Sequence, residues 1–255
     1  MRPDEIRDEK LLSAYDELLA EDERTKRDRY RFEKDQHSCL VTRALVRTVL
    51  SKYTDVPPGA WRFVTNEYGR PEIDEPADAR WLKFNLSHTN GLIALIVARD
   101  REVGVDVEDR ERRGGLLNVA DRYFSPPEVK ALRALPEKDK LDRFFLYWTL
   151  KESYIKARGM GLAIPLSQFS FAITSDISIA FDARLEDDPD TWQFTAMSFG
   201  PRHALAASIR RGSEDNVRLV LHETVPLAKP SRIAEQLSSA IEKRLAQRRR
   251  SSIKK

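Results

Sequence analysis

Residues 143–158 read RFFLYWTLKESYIKAR, and this stretch decides how the second half of the chain folds. Its aromatic and aliphatic side chains fall on almost every side of a helix, which is the pattern of a helix that is mostly buried. Gly159 and Gly161 follow at once, as residues that end helices do. The stretch therefore predicts a buried helix, the last part of a helical block that starts near Ser125 and breaks near Pro136.

One stripe of this helix carries charge. Phe144, Trp148, Glu152 and Lys156 are spaced by four residues and share a face. An ordinary surface pair of Glu152 and Lys156 would explain the spacing, and such a pair contributes only about 0.3–0.5 kcal/mol. A carboxylate that continues an aromatic stripe, however, needs a partner or a metal ion when it is buried. Both interpretations stand on the sequence of the helix alone.

Segments with the pattern of strands lie on both sides of the helix. Those before it are WRFV (61–64), FNLSH (84–88), LIALIVA (92–98) and VGVDVE (103–108). Those after it are FSFAI (169–173), ISIAFDA (177–183), WQFTAMSF (192–199), HALAASIR (203–210) and VRLVLHE (217–223). Polar turns separate them, and the turn Thr89-Asn90-Gly91 is a hairpin signal. Several antiparallel pairs are therefore expected in each half.

The remaining segments have the pattern of helices. They are the charge-dominated stretch 4–35, the run SCLVTRALVRTVLSKY (38–53) and the C-terminal stretch 231–249. The sequence thus predicts an α+β fold of two similar-sized halves, each a small, mainly antiparallel sheet packed on a helix. We place the N-terminal half at 1–101, the C-terminal half at 102–225, and a C-terminal helix with a basic tail at 226–255.

The segment Val103–Glu108 places two acids on one face of a strand. Side chains alternate along a strand, so the valines share one face, while Gly104, Asp106 and Glu108 share the other. Two residues of rise put the two carboxylates roughly 7 Å apart along the strand, close enough to converge on one ion. Oxygen ligands beside a phosphate-bearing substrate suit Mg²⁺. The alternative is the wet face of a half-exposed strand.

Two further motifs offer groups that bind phosphate. Ser87 and His88 end a strand before a turn, where a hydroxyl, an imidazole and backbone amides can hold phosphate oxygens. A serine–histidine hydrolase pair is disfavoured, because neighbouring strand residues point to opposite faces. The turn Gly69-Arg70-Pro71 would present a guanidinium beside a close backbone approach. The alternatives are a structural histidine in a hairpin and an ordinary turn.

Composition excludes several classes of protein. Of 255 residues, 41% are hydrophobic, which is enough for a core and excludes a wholly disordered chain. One cysteine, Cys39, excludes internal disulfides, and the four histidines have no zinc-ligand spacing. No apolar run approaches the roughly 20 residues that cross a bilayer, and the first residues lack the pattern of a signal peptide. We therefore expect a cytoplasmic protein without a membrane partner.

The net charge of +3 comes from the end of the chain. Residues 243–255 hold seven basic side chains and no acid, so the balance without them is 37 − 41 = −4. A solvated terminus explains such a tail better than a nucleic-acid contact does. Nucleic acid is therefore not an expected partner.

The three motifs together, in their order and separation, resemble those of the 4′-phosphopantetheinyl transferases. The matching stretches are FNLSH (84–88), GVDVE (104–108) and WTLKESYIKA (148–157). The resemblance is to the long, two-half, surfactin-type members and covers about residues 20–175. It implies two α+β halves related by a pseudo-twofold axis, with coenzyme A bound in the cleft between them.

The resemblance also implies roles for single residues. Asp106, Glu108 and Glu152 match the family's magnesium triad. Lys156 matches a lysine that contacts phosphate and helps with proton transfer, so Glu152 and Lys156 are the expected catalytic residues. Asp106, Glu152 and Lys156 are also expected to contact the bound coenzyme.

Further coenzyme contacts are implied elsewhere in the chain. Ser87 and His88 match residues that bind the coenzyme's phosphates. Arg70 stands, in the turn from Gly69 to Pro71, where many members have lysine, and the two side chains are not interchangeable at a tight site. Arg47 matches a basic residue that binds the nucleotide end. Arg31 and Lys34 are weaker candidates from the basic cluster 24–34, in which the sequence singles out no member.

The implied function is Mg²⁺-dependent transfer of the 4′-phosphopantetheine arm of coenzyme A to a serine of an apo acyl or peptidyl carrier protein. Adenosine 3′,5′-bisphosphate is released. The implied partners are acidic carrier proteins, for which the loop Arg110–Arg113 and the basic tail are docking candidates, and a monomer suffices. Two other functions remain open: a non-catalytic module that binds coenzyme A or carrier protein, and a Mg²⁺-dependent phosphohydrolase.

Overall fold

The first half of the chain is a helical layer on two hairpins. The computed structural model describes residues 1–112, 116–212 and 217–228. Its first helices are α1 (Glu9–Leu18), α2 (Glu21–Asp28) and α3 (Glu33–Leu50). The strands β1 (Arg62–Thr65) and β2 (Pro71–Glu75) form one antiparallel hairpin, and β3 (Leu82–Thr89) and β4 (Leu92–Arg99) form another. Val46 and Leu50 of α3 share a hydrophobic cluster with Trp61, which precedes β1, and with Phe84 of β3.

The second half repeats this order. Its helices are α4 (Leu116–Tyr123), α5 (Pro126–Arg133) and α6 (Glu137–Arg158). Its strands are β6 (Phe169–Ile173) with β7 (Ile177–Phe181), and β8 (Trp192–Phe199) with β9 (His203–Arg210). Between the halves lies β5 (Val103–Asp109), which pairs with β9 to give the sheet order β5-β9-β8. A long helix followed by two hairpins thus occurs twice, as the α+β expectation requires.

The long helix forms where the sequence predicts it. It begins after Pro136, is buried at most of its aromatic positions, and ends at Gly159, whose φ of 70° is the left-handed conformation that glycine adopts most readily. It covers one face of the sheet β5-β9-β8, where Ala204 and Ala206 lie in its core cluster. Short 3-10 helices connect the other elements: Pro3–Glu5, Pro58–Ala60, Ala77–Ala79, Gly161–Ala163, Leu166–Gln168 and Pro189–Thr191.

The alternation predicted for β5 is observed. Val103, Val105 and Val107 pack into a cluster with residues of β4 and β9. Gly104 lies against Ser153 and Ala157 of α6 on the opposite face. One face of β5 is therefore core, and the acids lie on the face that meets α6.

Two sequence expectations differ from the structure. The stretch 4–35 is not one helix, because Leu19 leaves α1 with extended backbone and is buried. Residues 217–223, expected as a strand, form none. The amide of Val217 donates to Gln193 Oε1 at 2.8 Å, and Gln193 Nε2 donates to the Val217 carbonyl at 2.7 Å. The side chain of Gln193, rather than the main chain of β8, thus bonds to the main chain of Val217, and no ladder forms between the two segments.

The predicted C-terminal helix at 231–249 and the basic tail lie outside the described residues. Within the described ranges, no helix has the length and apolarity that a membrane crossing requires.

Candidate active site

The site is built where α6 crosses β5, and Gly104 allows the close approach. A Cβ at Gly104 would lie 2.0 Å from the Ser153 carbonyl oxygen and 2.5 Å from the Ala157 amide nitrogen. Any side chain would push the helix away from the strand. The contact thus brings the stripe of Trp148, Glu152 and Lys156 over the acids of β5.

Asp106 is at the centre of the site. It is 3% exposed, and its Oδ1 atom lies 2.6 Å from Lys156 Nζ. The hydroxyl of Ser87 donates to the same oxygen at 2.9 Å, and Lys156 donates to Ser87 Oγ at 3.0 Å. The other oxygen, Oδ2, is buried and has no hydrogen-bond partner within the described part of the chain. One side of this carboxylate is therefore left for another group.

Glu108 lies two residues after Asp106 on β5. Trp148 Nε1 donates to its Oε1 at 3.1 Å, and Arg112 Nη1 lies 3.6 Å from its Oε2. Burial and the charge of Asp106 raise the pKa of Glu108, while Arg112 acts in the opposite direction. The indole and the guanidinium hold this carboxylate beside α6.

Glu152 lies on α6, in the stripe between Trp148 and Lys156. Burial, followed by the charge of Asp106, raises the pKa of Glu152 to about 7; Lys156 lowers it and Glu108 raises it further. The three carboxylates are thus close enough to act on one another electrically. Such a cluster favours binding a cation or a proton.

The donor set fits a hard divalent cation in its chemistry. Oxygen ligands from carboxylates are what Mg²⁺ prefers, and Asp106 Oδ2 has no hydrogen-bond partner among the described residues. In the described parts of the chain, however, no group of three or more His, Cys, Asp or Glu side chains is already arranged to hold a metal ion. Lys156 supplies the positive charge beside Asp106 instead.

The strand β3 joins the halves through side chains. Asn85 Oδ1 accepts from the Val105 amide at 3.0 Å, and Ser87 Oγ accepts from the Val107 amide at 3.3 Å. Ser87 is buried, and its one hydroxyl proton is donated to Asp106. Its contact with the coenzyme's phosphates stays a prediction. His88 is exposed, and the structure does not bring it to the Asp106–Lys156 pair.

The turn Gly69-Arg70-Pro71 meets the C-terminal end of α6. Gly69 adopts φ 83°, and Arg70 Nη1 donates to the Ala157 carbonyl at 2.7 Å. Asn66 Nδ2 donates to the Gly159 carbonyl at 2.8 Å. The first half of the chain thus supplies partners to carbonyls that a helix end leaves free. The partner of Arg70, Ala157, directly follows Lys156 in the chain.

Arg47, which is expected to bind the nucleotide end of the coenzyme, makes its contacts inside the first half of the chain. It is 1% exposed, and Nε and Nη2 donate to Glu23 Oε2 at 3.0 and 2.6 Å. Nη1 donates to the carbonyls of Pro58 and Trp61. Its charge is therefore used inside the first half. Arg31 and Lys34 are exposed and lie beside the ring of Phe32.

Sequence reasoning missed four residues that shape the site: Asn66, Asn85, Arg112 and Trp148 as a hydrogen-bond donor. Trp148 carried a signal, because it continues the stripe of Glu152 and faces the strand. Asn85 lies within the motif FNLSH but was given no role, and Asn66 carried no signal. Each of the two side chains bonds to main chain of the other half.

The raised pKa of Glu152 predicts how stability depends on pH when metal is removed. The pKa is about 7 in the folded protein, against an ordinary value of 4.5. The folded state therefore holds more protons than the unfolded state between these values, and the free energy of unfolding falls as pH rises through that window. Urea unfolding in a chelator across this range measures the slope. Glu152→Gln should flatten the dependence of the free energy of unfolding on pH. An unchanged slope in that variant would show that Glu152 is not the group that causes it.

Family models match both halves of the chain. Residues 7–100 match the N-terminal part of 4′-phosphopantetheinyl transferase, and residues 102–208 match the 4′-phosphopantetheinyl transferase superfamily. The 4′-phosphopantetheinyl transferase HetI of Nostoc sp. is 35% identical over 156 residues, which are 61% of this chain and 65% of that protein. The 4′-phosphopantetheinyl transferase Sfp of Bacillus subtilis is 32% identical over 165 residues, 65% of this chain and 71% of that protein.

A solved structure is also similar. The match is to the crystal structure of the Thermotoga maritima holo-[acyl-carrier-protein] synthase. The matched region is 43% of this chain and 62% of the synthase chain, with 19% sequence identity and a TM-score of 0.36.

The sequence matches in both halves show that the chain belongs to the 4′-phosphopantetheinyl transferase superfamily. Within the superfamily it is of the Sfp-like type, so the resemblance drawn from the three motifs is confirmed.

Proposed function

We propose that this enzyme transfers the 4′-phosphopantetheine moiety of coenzyme A to a serine of an apo carrier protein and releases adenosine 3′,5′-bisphosphate. The observation that carries the proposal is the meeting of Asp106, Glu108, Glu152 and Lys156 where β5 faces α6. This is a cluster of carboxylates with one ammonium group, in a chain of the transferase superfamily.

Asp106, Glu108 and Glu152 would hold Mg²⁺. The oxygen donors, the buried Asp106 Oδ2 and the raised pKa values of Glu108 and Glu152 support this assignment. When bound, the ion supplies positive charge that offsets the charge of the coenzyme's diphosphate and of the leaving phosphate.

The protein's own groups position the reactants and accept the proton. The carrier serine oxygen forms a bond to the phosphorus that bears the pantetheine arm, and the bond from that phosphorus to the bridging oxygen breaks. Lys156, with 27% of its side chain exposed, can donate to the diphosphate oxygens. Glu152, on the same stripe of α6 as Lys156, would take the serine proton. Arg70 adds a second cation at the end of α6. Positioning and electrostatics dominate such reactions.

Replacing Lys156 separates these roles. Lys156→Ala should lower kcat by about 10²-fold or more while the affinity for coenzyme A changes far less, because the ammonium acts on charge that grows in the transition state. Single-turnover kinetics and a calorimetric titration of coenzyme A measure the two quantities. A loss of affinity with unchanged kcat would show that Lys156 only binds the substrate.

The function is tested by mass spectrometry of an apo carrier protein after incubation with the enzyme, coenzyme A and Mg²⁺. The carrier should gain the mass of one phosphopantetheine group on its serine. A binding module would leave the carrier unmodified. A phosphohydrolase would release free phosphopantetheine in the absence of carrier. Either outcome would replace the proposal.

We also propose that the acceptor surface of the carrier is acidic and that the enzyme acts as a cytoplasmic monomer without nucleic acid. The guanidinium of Arg112 adjoins the site at Glu108, and Arg110 lies two residues earlier, where it pairs with Asp142 of α6. The family matches divide at residue 101, which supports halves of 1–101 and 102–225. The remaining docking candidates, Arg113 and the basic tail, lie outside the described residues.

Electrostatic docking predicts a dependence on salt. The apparent kcat/KM for the carrier should fall several-fold between about 0.05 and 0.5 M salt, because screening weakens attraction between exposed charges. Initial rates at fixed Mg²⁺ and saturating coenzyme A measure it, so that weaker binding of the coenzyme does not enter the result. A rate independent of salt would remove the docking proposal.

A further inference from the structure

The residue before Glu152 is a lysine that is completely buried. The Lys151 side chain is 0% exposed, and its partner Glu128, on α5, is 1% exposed. Nζ of Lys151 lies 2.8 Å from Oε2 of Glu128. Ions are seldom placed so deeply, because removing them from water is costly even when they are paired. The chemistry of the transfer does not use either group.

Lys151 connects α6 to the segment that leads into β6. Nζ donates to the carbonyls of Leu166 and Phe169, each at 2.7 Å, in addition to its contact with Glu128. These partners use all three N–H bonds of the ammonium group. The ring of Phe169 lies 4.3 Å from Nζ and adds a cation–π contact. The ammonium therefore has one orientation.

Glu128 is held just as firmly on the other side. Its Oε2 accepts from the Ser125 amide at 2.9 Å and from Ser125 Oγ at 2.8 Å. Its Oε1 accepts from the Phe171 amide of β6 at 2.9 Å. The ion pair thus joins α5, α6 and β6 at one point.

We propose that the Lys151–Glu128 ion pair is a positioning device, which fixes the rotation of α6 about its axis and so aims Glu152 and Lys156 at Asp106. This inference rests on the proposed function. Consecutive helix residues differ by about 100° in direction, so fixing Lys151 fixes Glu152. Catalytic groups must be held within about 10–20° of their working direction.

Away from the acids of β5, the other contacts of α6 constrain its rotation at fewer points. Gly104 sets the distance between helix and strand, but it has no side chain to oppose rotation. Ser153 and Tyr154 each bond outside the helix to one residue, Ser208 and Asp187. Lys151 bonds to three groups at once, and it adjoins Glu152 directly.

The test removes both charges together, so that no lone ion is left buried. In Lys151→Met/Glu128→Gln the glutamine keeps an oxygen that can accept from Ser125. We expect kcat to fall about 10²-fold, with the KM for coenzyme A within about threefold, because a small displacement of reacting groups has effects of this size. With the protein labelled by 5-fluorotryptophan, the fluorine resonance of Trp148 should shift, while those of Trp61 and Trp81 in the first half should not.

Thr149→Val is the matched control. Thr149 is also on α6 and 0% exposed, but its hydroxyl bonds only within the helix, to the carbonyls of Phe145 and Leu146. It should keep kcat within about threefold and leave the Trp148 resonance in place. All comparisons are made well below the melting temperature of each variant.

Ser125→Ala is a milder second variant that removes one donor to Glu128. It should reduce kcat about three- to tenfold, and it decides the question if the double variant does not fold. A folded variant with kcat within threefold of the unaltered enzyme, or with an unshifted Trp148 resonance, overturns the proposal. The resonance requires no catalysis, so it still decides about α6 if the unaltered enzyme fails to modify a carrier and the proposed function falls.

Discussion

Asp106→Asn should lower kcat for phosphopantetheine transfer by about 10³-fold or more, because it removes charge from the centre of the carboxylate cluster without changing its shape. An amide oxygen can still accept from Ser87, as Asp106 Oδ1 does at 2.9 Å. What is lost is the negative charge opposite Lys156 and its contribution to binding a divalent cation. Rates of carrier modification at saturating coenzyme A measure the effect.

Asp109→Asn provides the control on the same strand. Asp109 is 6% exposed, but its side chain is turned to Arg202, whose Nε and Nη2 donate to it at 2.9 and 2.7 Å. Its loss should lower stability and leave kcat within about threefold, because it lies away from the cluster. Equal losses of activity in the two variants would mean that β5 acids serve the fold, and the metal assignment would then be wrong.

Gly104→Ala should destabilise the protein by about 3 kcal/mol or more and abolish most of its activity, because the added methyl group has no room. Its Cβ would lie 2.0 Å from the Ser153 carbonyl oxygen and 3.0 Å from the Ala157 Cα. Both are main-chain atoms of α6, so relief requires the whole helix to move. That movement would carry Glu152 and Lys156 away from Asp106. Urea unfolding and carrier modification rates measure the two effects.

Gly59→Ala separates this steric effect from the general cost of replacing glycine. A Cβ at Gly59 would meet no heavy atom within 4 Å. We expect its free energy of unfolding to stay within about 0.5 kcal/mol of the original. If Gly104→Ala were equally mild, the close packing of α6 on β5 would not be what assembles the site.

Much of the fold follows from patterns in single segments. Pro136 and Gly159 mark the two ends of α6, because proline is tolerated at the start of a helix but not in its interior, and glycine readily takes the left-handed conformation. The hairpin of β3 and β4 turns at Asn90 and Gly91, as the dipeptide predicts. In β5 the alternation of valine and polar residues indicated which face is buried in the core.

Local patterns failed where a distant side chain decides the outcome. Residues 217–223 have the composition of a strand, but the Gln193 side chain satisfies the main chain of Val217. Glu23 on α2 likewise pairs with the Arg47 guanidinium in the interior, a contact that no local pattern indicates. Neither partner is visible from the neighbouring sequence.

The sequence by itself determined the family and the α+β architecture, and it singled out the three acids and their lysine as the candidate site, because these depend on residue identity and on short periodic spacing. Only the tertiary structure decided what each polar group touches. It gave Ser87 to Asp106 rather than to solvent, placed Arg70 on the end of α6, and buried Lys151 against Glu128. The reason is physical: a hydrogen bond or ion pair requires atoms within about 3 Å, and residues far apart in the chain reach that distance only when the elements that carry them have packed.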